Sequence, residues 1–84
     1  MCCDVVQVRP LEHLKLAVRF ADGVEGIVEL QPSHLHGVFE PLKIPAVFAQ
    51  VQCSDGFVSW PGDIDLAPDS MYAAISKAGK WVLI

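Results

Sequence analysis

The sequence has no glycine-rich phosphate loop, no Cys-x-x-Cys pair and no glycine-flanked serine of the nucleophile-elbow kind. It also has few cations. Arg9, Lys15, Arg19, Lys43, Lys77 and Lys80 are scattered along a chain of net charge −4 and pI about 5.1. Binding to nucleic acid or to an anionic membrane surface needs a basic stripe, so neither partner is expected. The longest apolar runs are a few residues, far short of a membrane span. No basic segment followed by an apolar core opens the chain, and three cysteines, with Cys2 and Cys3 adjacent, make no disulfide framework. The expected location is cytoplasmic.

What is present is apolar. The 84 residues fit one domain, 1–84, and 52% of them are hydrophobic, with a mean hydropathy of +0.40. A domain this small cannot enclose that much apolar surface, and the surplus points to a subunit interface. A two-fold homodimer is the expected assembly.

The clearest local pattern runs from Leu14 to Leu30. Leu14, Leu16, Val18 and Phe20 alternate with Lys15, Ala17 and Arg19, the period of a half-buried strand. Ala21-Asp22-Gly23 is a turn, and Val24, Val28 and Leu30 resume the alternation with Glu25, Ile27 and Glu29. A two-residue loop would place Glu25 opposite Phe20. A three-residue loop instead pairs Phe20 with Val24, Leu16 with Val28 and Leu14 with Leu30, and it sets Arg19 opposite Glu25 and Lys15 opposite Glu29. This register satisfies both faces, with Gly23 in the left-handed bulge position.

A second hairpin is predicted from Val51–Ser54 and Phe57–Trp60 around Asp55-Gly56. A two-residue type I′ turn pairs Cys53 with Val58 and Val51 with Trp60. Asp4 to Arg9 reads as a further strand, stopped by Pro10. Gln31 to Gln50 holds three prolines and Gly37, so it is read as a turn near Phe39–Leu42 and a short helix from Pro45, with Phe39, Leu42 and Phe48 plugging onto the sheet. Asp63 to Ala67 is read as irregular.

Pro68 to Ala78 is the principal helix, with Asp69 near its positive end, Lys77 in its last turn and Gly79 as its cap. Met71, Tyr72, Ile75 and Ala78 form its expected buried stripe. Trp81-Val82-Leu83-Ile84 is read as a final strand or an interface segment. The expected fold class is therefore α+β: a small antiparallel sheet built from two β-hairpins plus an N-terminal strand, with one short helix and one C-terminal helix packed on it.

The ordered set Val18-Arg19-Phe20-Ala21-Asp22-Gly23, Gly37-Val38-Phe39-Glu40-Pro41-Leu42, Phe48, Trp60-Pro61, Asp65-Leu66 and Pro68-Asp69-x-x-Tyr72 resembles the bacterial domain of unknown function 2442 family, from about Val5 to about Ile75. The resemblance implies a compact α+β fold with a small antiparallel sheet and no established activity. Some members look like parts of larger proteins with a helix-turn-helix segment, for which no room is expected after Ile84. Others lie beside genes for a second small domain, which implies a paired, toxin–antitoxin-like role. Members often carry asparagine after the Trp-Pro pair, where this chain has Gly62.

Candidate chemistry is sparse. His34-Leu35-His36 could offer two imidazoles, with Cys53 or Cys2, to a metal such as zinc, but the spacing is none of the usual zinc patterns. Two exposed loop histidines are the simpler reading. Asp63, Asp65 and Asp69 form the densest acidic cluster, able in principle to hold a cation or run acid–base chemistry. The simpler reading has Asp65 bonding turn amides and Asp69 serving the helix start. Ser33 beside His34 is no catalytic dyad, and Cys2 and Cys3 are ordinary terminal thiols.

No cofactor and no catalytic residue is expected. The interface or partner-binding candidates are Trp60, Pro61, Tyr72, Trp81, Val82, Leu83 and Ile84. For Trp60 and Tyr72, packing of the helix on the sheet outweighs the interface reading. The expected function is a self-associating protein-interaction module, with another protein as a further partner. The alternative is a small metal-binding protein or enzyme using His34, His36, Asp63, Asp65 and Asp69.

Overall fold

The computed structural model describes residues 4–83. Cys2, Cys3 and Ile84 lie outside the described residues. The strands are β1 (Val5–Pro10), β2 (Lys15–Phe20), β3 (Glu25–Leu30), β4 (Gln52–Ser54), β5 (Phe57–Trp60), β6 (Ile64–Leu66) and β7 (Lys80–Leu83). The helices are α1 (Pro45–Phe48) and α2 (Pro68–Ala78), and 3-10 turns occupy Pro32–His34 and Gly37–Lys43. The α+β class stands.

The strands form two sheets rather than one. The first has the order β1-β2-β3-β7 and the second β4-β5-β6. Both hairpins have the register that their side-chain patterns dictate. In β2–β3, Lys15 faces Glu29, Leu16 faces Val28 and Arg19 faces Glu25, while Phe20 N–H bonds Val24 O at 2.8 Å. Gly23 takes φ +94°, a left-handed value that glycine adopts without strain. In β4–β5, Cys53 faces Val58, and Asp55 and Gly56 both have positive φ (54° and 85°), as a type I′ turn requires.

The cross-strand ion pairs do not form. Lys15 Nζ turns to Glu12 Oε2 at 4.0 Å, and Glu29 accepts from the Gln31 side-chain amide. Lys15–Glu12 is the one ion pair within 4.0 Å among the described residues. The apolar inner face therefore sets the register, since slipping by one residue would turn Leu16, Val18 and Phe20 to water.

Three further expectations are corrected. Asp63–Ala67 is not irregular throughout: Ile64–Leu66 is the strand β6, antiparallel to β5, with Ile64 and Leu66 buried and Asp65 exposed. Asp65 therefore lies on a strand rather than in a turn. The helix stripe is narrower than expected, with Met71 and Ile75 buried, Tyr72 half-buried and Ala78 exposed. Leu14 lies before β2 with φ 69°, although its carbonyl still accepts from Leu30 N–H at 2.9 Å.

One core serves both sheets. Leu16, Val18, Phe20, Val28 and Leu30 come from the first, and Val58, Trp60, Ile64 and Leu66 from the second. Leu42 and Phe48 plug it from the connecting segment, together with Leu35, and Met71 and Ile75 close it from α2. Asp4 and Val5 tie the sheets together: Ala21 N–H donates to Asp4 O, and Val5 N–H donates to Gly56 O, each at 2.9 Å. At β3 the helix comes close. A Cβ on Gly26 would meet Ile75 Cγ2 at 2.5 Å and Gly79 O at 2.6 Å, so only glycine admits the end of α2 there.

Candidate interaction surface

The final segment Lys80–Leu83 is a strand, and it pairs in parallel with β3: Ile27 with Lys80, Val28 with Trp81, Glu29 with Val82 and Leu30 with Leu83. Gly79 caps α2 with φ 79°, its N–H donating to Ile75 O at 2.8 Å, and this left-handed cap turns the chain directly into β7. Ile27 N–H donates to Gly79 O and Gln31 N–H to Leu83 O. Because backbone groups alternate between the two edges of a strand, Gly79, Trp81 and Leu83 point theirs at β3. Lys80 and Val82 point theirs away from the sheet, at the end of the strand order.

The side chains of this edge are apolar and incompletely covered. Trp81, Val82 and Leu83 are all half-buried, with Trp81 and Leu83 packed against the core. Beside β7 runs an open groove lined in part by exposed Leu11, half-buried Ile27 and exposed Ala78. A second exposed apolar region, with Val38 and Ile44 each more than half exposed, lies on the segment between the hairpins. Leu11 and Ile27 were not among the expected surface residues. The signal was there in Ile27, an isoleucine on the charged face of its strand.

The expected aromatic–proline cluster divides. Trp60 is 2% exposed and its Nε1–H donates to Phe48 O at 2.9 Å, so it takes the packing role and presents no surface. Its ring lies 5.8 Å from that of Phe48. Pro61 is exposed in the turn before β6. Tyr72 is half-buried, edge-on to Phe20 at 5.0 Å, and its hydroxyl donates to Asp22. That bond, helped by Val24 N–H, holds the Asp22 carboxyl below the ordinary value of 3.8 by favouring its charged form.

The His and Asp candidates stay dispersed. The rings of His34 and His36 are 6.4 Å apart, and Phe39 stacks obliquely on His34 at 4.9 Å. Cys53 lies half-buried on β4. Among the described residues no three His, Cys, Asp or Glu side chains converge as metal ligands would. Asp63 occupies a turn with φ 64°, Asp65 is exposed on β6 and Asp69 is exposed in the first turn of α2. The cap residue of that helix is Ala67, with no side-chain cap.

A profile for proteins of unknown function, DUF2442, matches residues 5–77, nearly the whole chain. The chain belongs to the DUF2442 family. No curated protein and no solved structure matches it. The match ends at Lys77, before β7. Gly62 takes φ +96° with open space around it, a backbone conformation that glycine adopts without strain. No helix among the described residues is long and apolar enough to cross a membrane.

Proposed function

We propose that this DUF2442 chain is a non-enzymatic interaction module that self-associates as a two-fold dimer along β7. The observation that carries the reading is the outward edge of that strand, where Lys80 and Val82 direct their backbone groups away from the sheet beside half-buried apolar side chains. An unpaired edge of this kind is a template for another strand.

The edge is self-complementary. With Trp81 on the two-fold axis, Lys80 of one copy pairs with Val82 of the other, and the reverse pair follows by symmetry. Each such pair exchanges two backbone hydrogen bonds, four in all, and the two four-stranded sheets become one of eight strands. The Trp81 rings then meet across the axis at a non-hydrogen-bonded position, where cross-strand side chains approach most closely. A second protein partner, in the paired role that the family resemblance implies, would use the surface that the dimer leaves free, such as that around Val38 and Ile44.

Native mass spectrometry and light scattering at micromolar concentration test the proposal. The dimer is the expected species. Val82→Pro removes an outward N–H without touching the bonds to β3, so it should give a folded monomer. A monomeric wild-type protein, or a dimer indifferent to Val82→Pro, would overturn the proposed assembly.

A further inference from the structure

The first strand contains a device that its sequence pattern hides. Val5 is buried and faces Phe20, so strict alternation would turn Gln7 and Arg9 into the core and Val8 outward. The register instead shifts between Val5 and Gln7. This bulge inserts Val6 as an extra residue, and it returns Val8 to the inner face opposite Val18. Gln7 and Arg9 are thereby placed on the outer face, Gln7 opposite Arg19 and Arg9 opposite Ala17.

These four residues form the corners of a small polar hollow of about 110 Å³, completed by Val18 and Glu25. Ala17 is the smallest side chain on the outer face of β2, and it leaves the floor open between the two arginines. Both arginines are exposed, and among the described residues neither guanidinium lies within 4.0 Å of a carboxylate. The surroundings reinforce the sign. By register, four of the six cations of this acidic chain (Arg9, Lys15, Arg19 and Lys80) stand on the outer face of the first sheet. Asp55, Asp63, Asp65 and Asp69 instead lie on or beside the second sheet and α2. Glu25 and Glu29 share this face by register, so its strands carry four cations against two anions, a local excess that favours anions despite the net charge of −4.

We infer that the Gln7–Arg9–Arg19 hollow over Ala17 is a binding site for a single oxyanion group, a phosphate or a carboxylate. Guanidinium forks match both groups in a bidentate way, and the Gln7 amide adds a neutral donor. A space of this size takes the oxyanion alone, so any larger ligand would stay outside it. Glu25 lines the hollow and opposes the ligand, which sets the affinity low and gives the site its own control. The site is independent of the β7 edge and stands whether or not the protein dimerises.

The test is an NMR titration of the intact protein at constant ionic strength, reading the arginine Nε–H signals and the Ala17 amide. One arm uses inorganic phosphate, a second uses glutarate, and sodium chloride is the control. Saturable shifts at Arg9 and Arg19 are expected with at least one oxyanion, and the arm that saturates at lower concentration identifies the source. Ala17→Leu fills the floor without changing charge and should weaken binding at least tenfold. Glu25→Gln should tighten it several-fold. Linear, unsaturated shifts in both arms, or saturation unaffected by Ala17→Leu, would overturn the site.

Discussion

The Tyr72 hydroxyl donates to Asp22 across 50 residues of sequence, joining the middle of α2 to the turn of the first hairpin. The same carboxylate accepts from Val24 N–H at 3.0 Å, so one side chain holds both the turn and the helix that crosses it. Tyr72 also keeps its ring edge-on to Phe20.

Tyr72→Phe separates these two contributions, because it keeps the ring and removes the donor. Asp22 has its carboxyl lowered chiefly by that donor. A lowered folded-state value stabilises above the ordinary 3.8 and is lost as pH falls through the folded value. Urea unfolding should therefore show wild type more stable than Tyr72→Phe at pH 7, with the gap closing below pH 3.8. A gap constant across that range would show that the hydroxyl acts by some other contact.

Gly26→Ala should destabilise the protein by about 1–3 kcal/mol, the usual cost of overpacking. The added Cβ meets Gly79 O, a backbone atom, at 2.6 Å, so α2 or β7 has to shift. Thermal unfolding measures the loss. An unchanged midpoint would mean that the helix end yields freely.

Trp60→Phe removes the shorter of two hydrogen bonds to the Phe48 carbonyl, leaving Val51 N–H at 3.3 Å, and opens a space beside it. A loss of about 1–3 kcal/mol is expected from the lost hydrogen bond and the cavity together, measured by denaturant titration. A loss below 1 kcal/mol would mean that water or the Phe48 backbone compensates.

Hydrogen exchange tests the β7 edge residue by residue. In the dimer the Lys80 and Val82 amides should be protected at high protein concentration and should exchange rapidly on dilution below the dissociation constant. Trp81 and Leu83, turned towards β3, should stay protected in both states. Fast exchange of Lys80 and Val82 at every concentration would place the contact elsewhere.

What the sequence by itself determined was local. Period-two alternation and the turn residues Gly23 and Asp55-Gly56 specify both hairpin registers, because a slip would expose an entire apolar face. Pro68 and Gly79 likewise bound α2, the proline by its fixed φ and the glycine by its freedom to turn left-handed. The family was legible too, in ordered motifs that span the chain.

Only the tertiary structure decided how these pieces combine. Strand alternation says which face is wet but not which strand lies alongside, so the division into two sheets and the parallel pairing of β7 with β3 depend on distant contacts. The bulge at Val6 followed from Asp4 and Val5 being held between two hairpin turns, through Ala21 and Gly56. That anchoring inverts the parity of the rest of β1 and brings Arg9 beside Arg19, a neighbourhood that no reading of nearby residues contains.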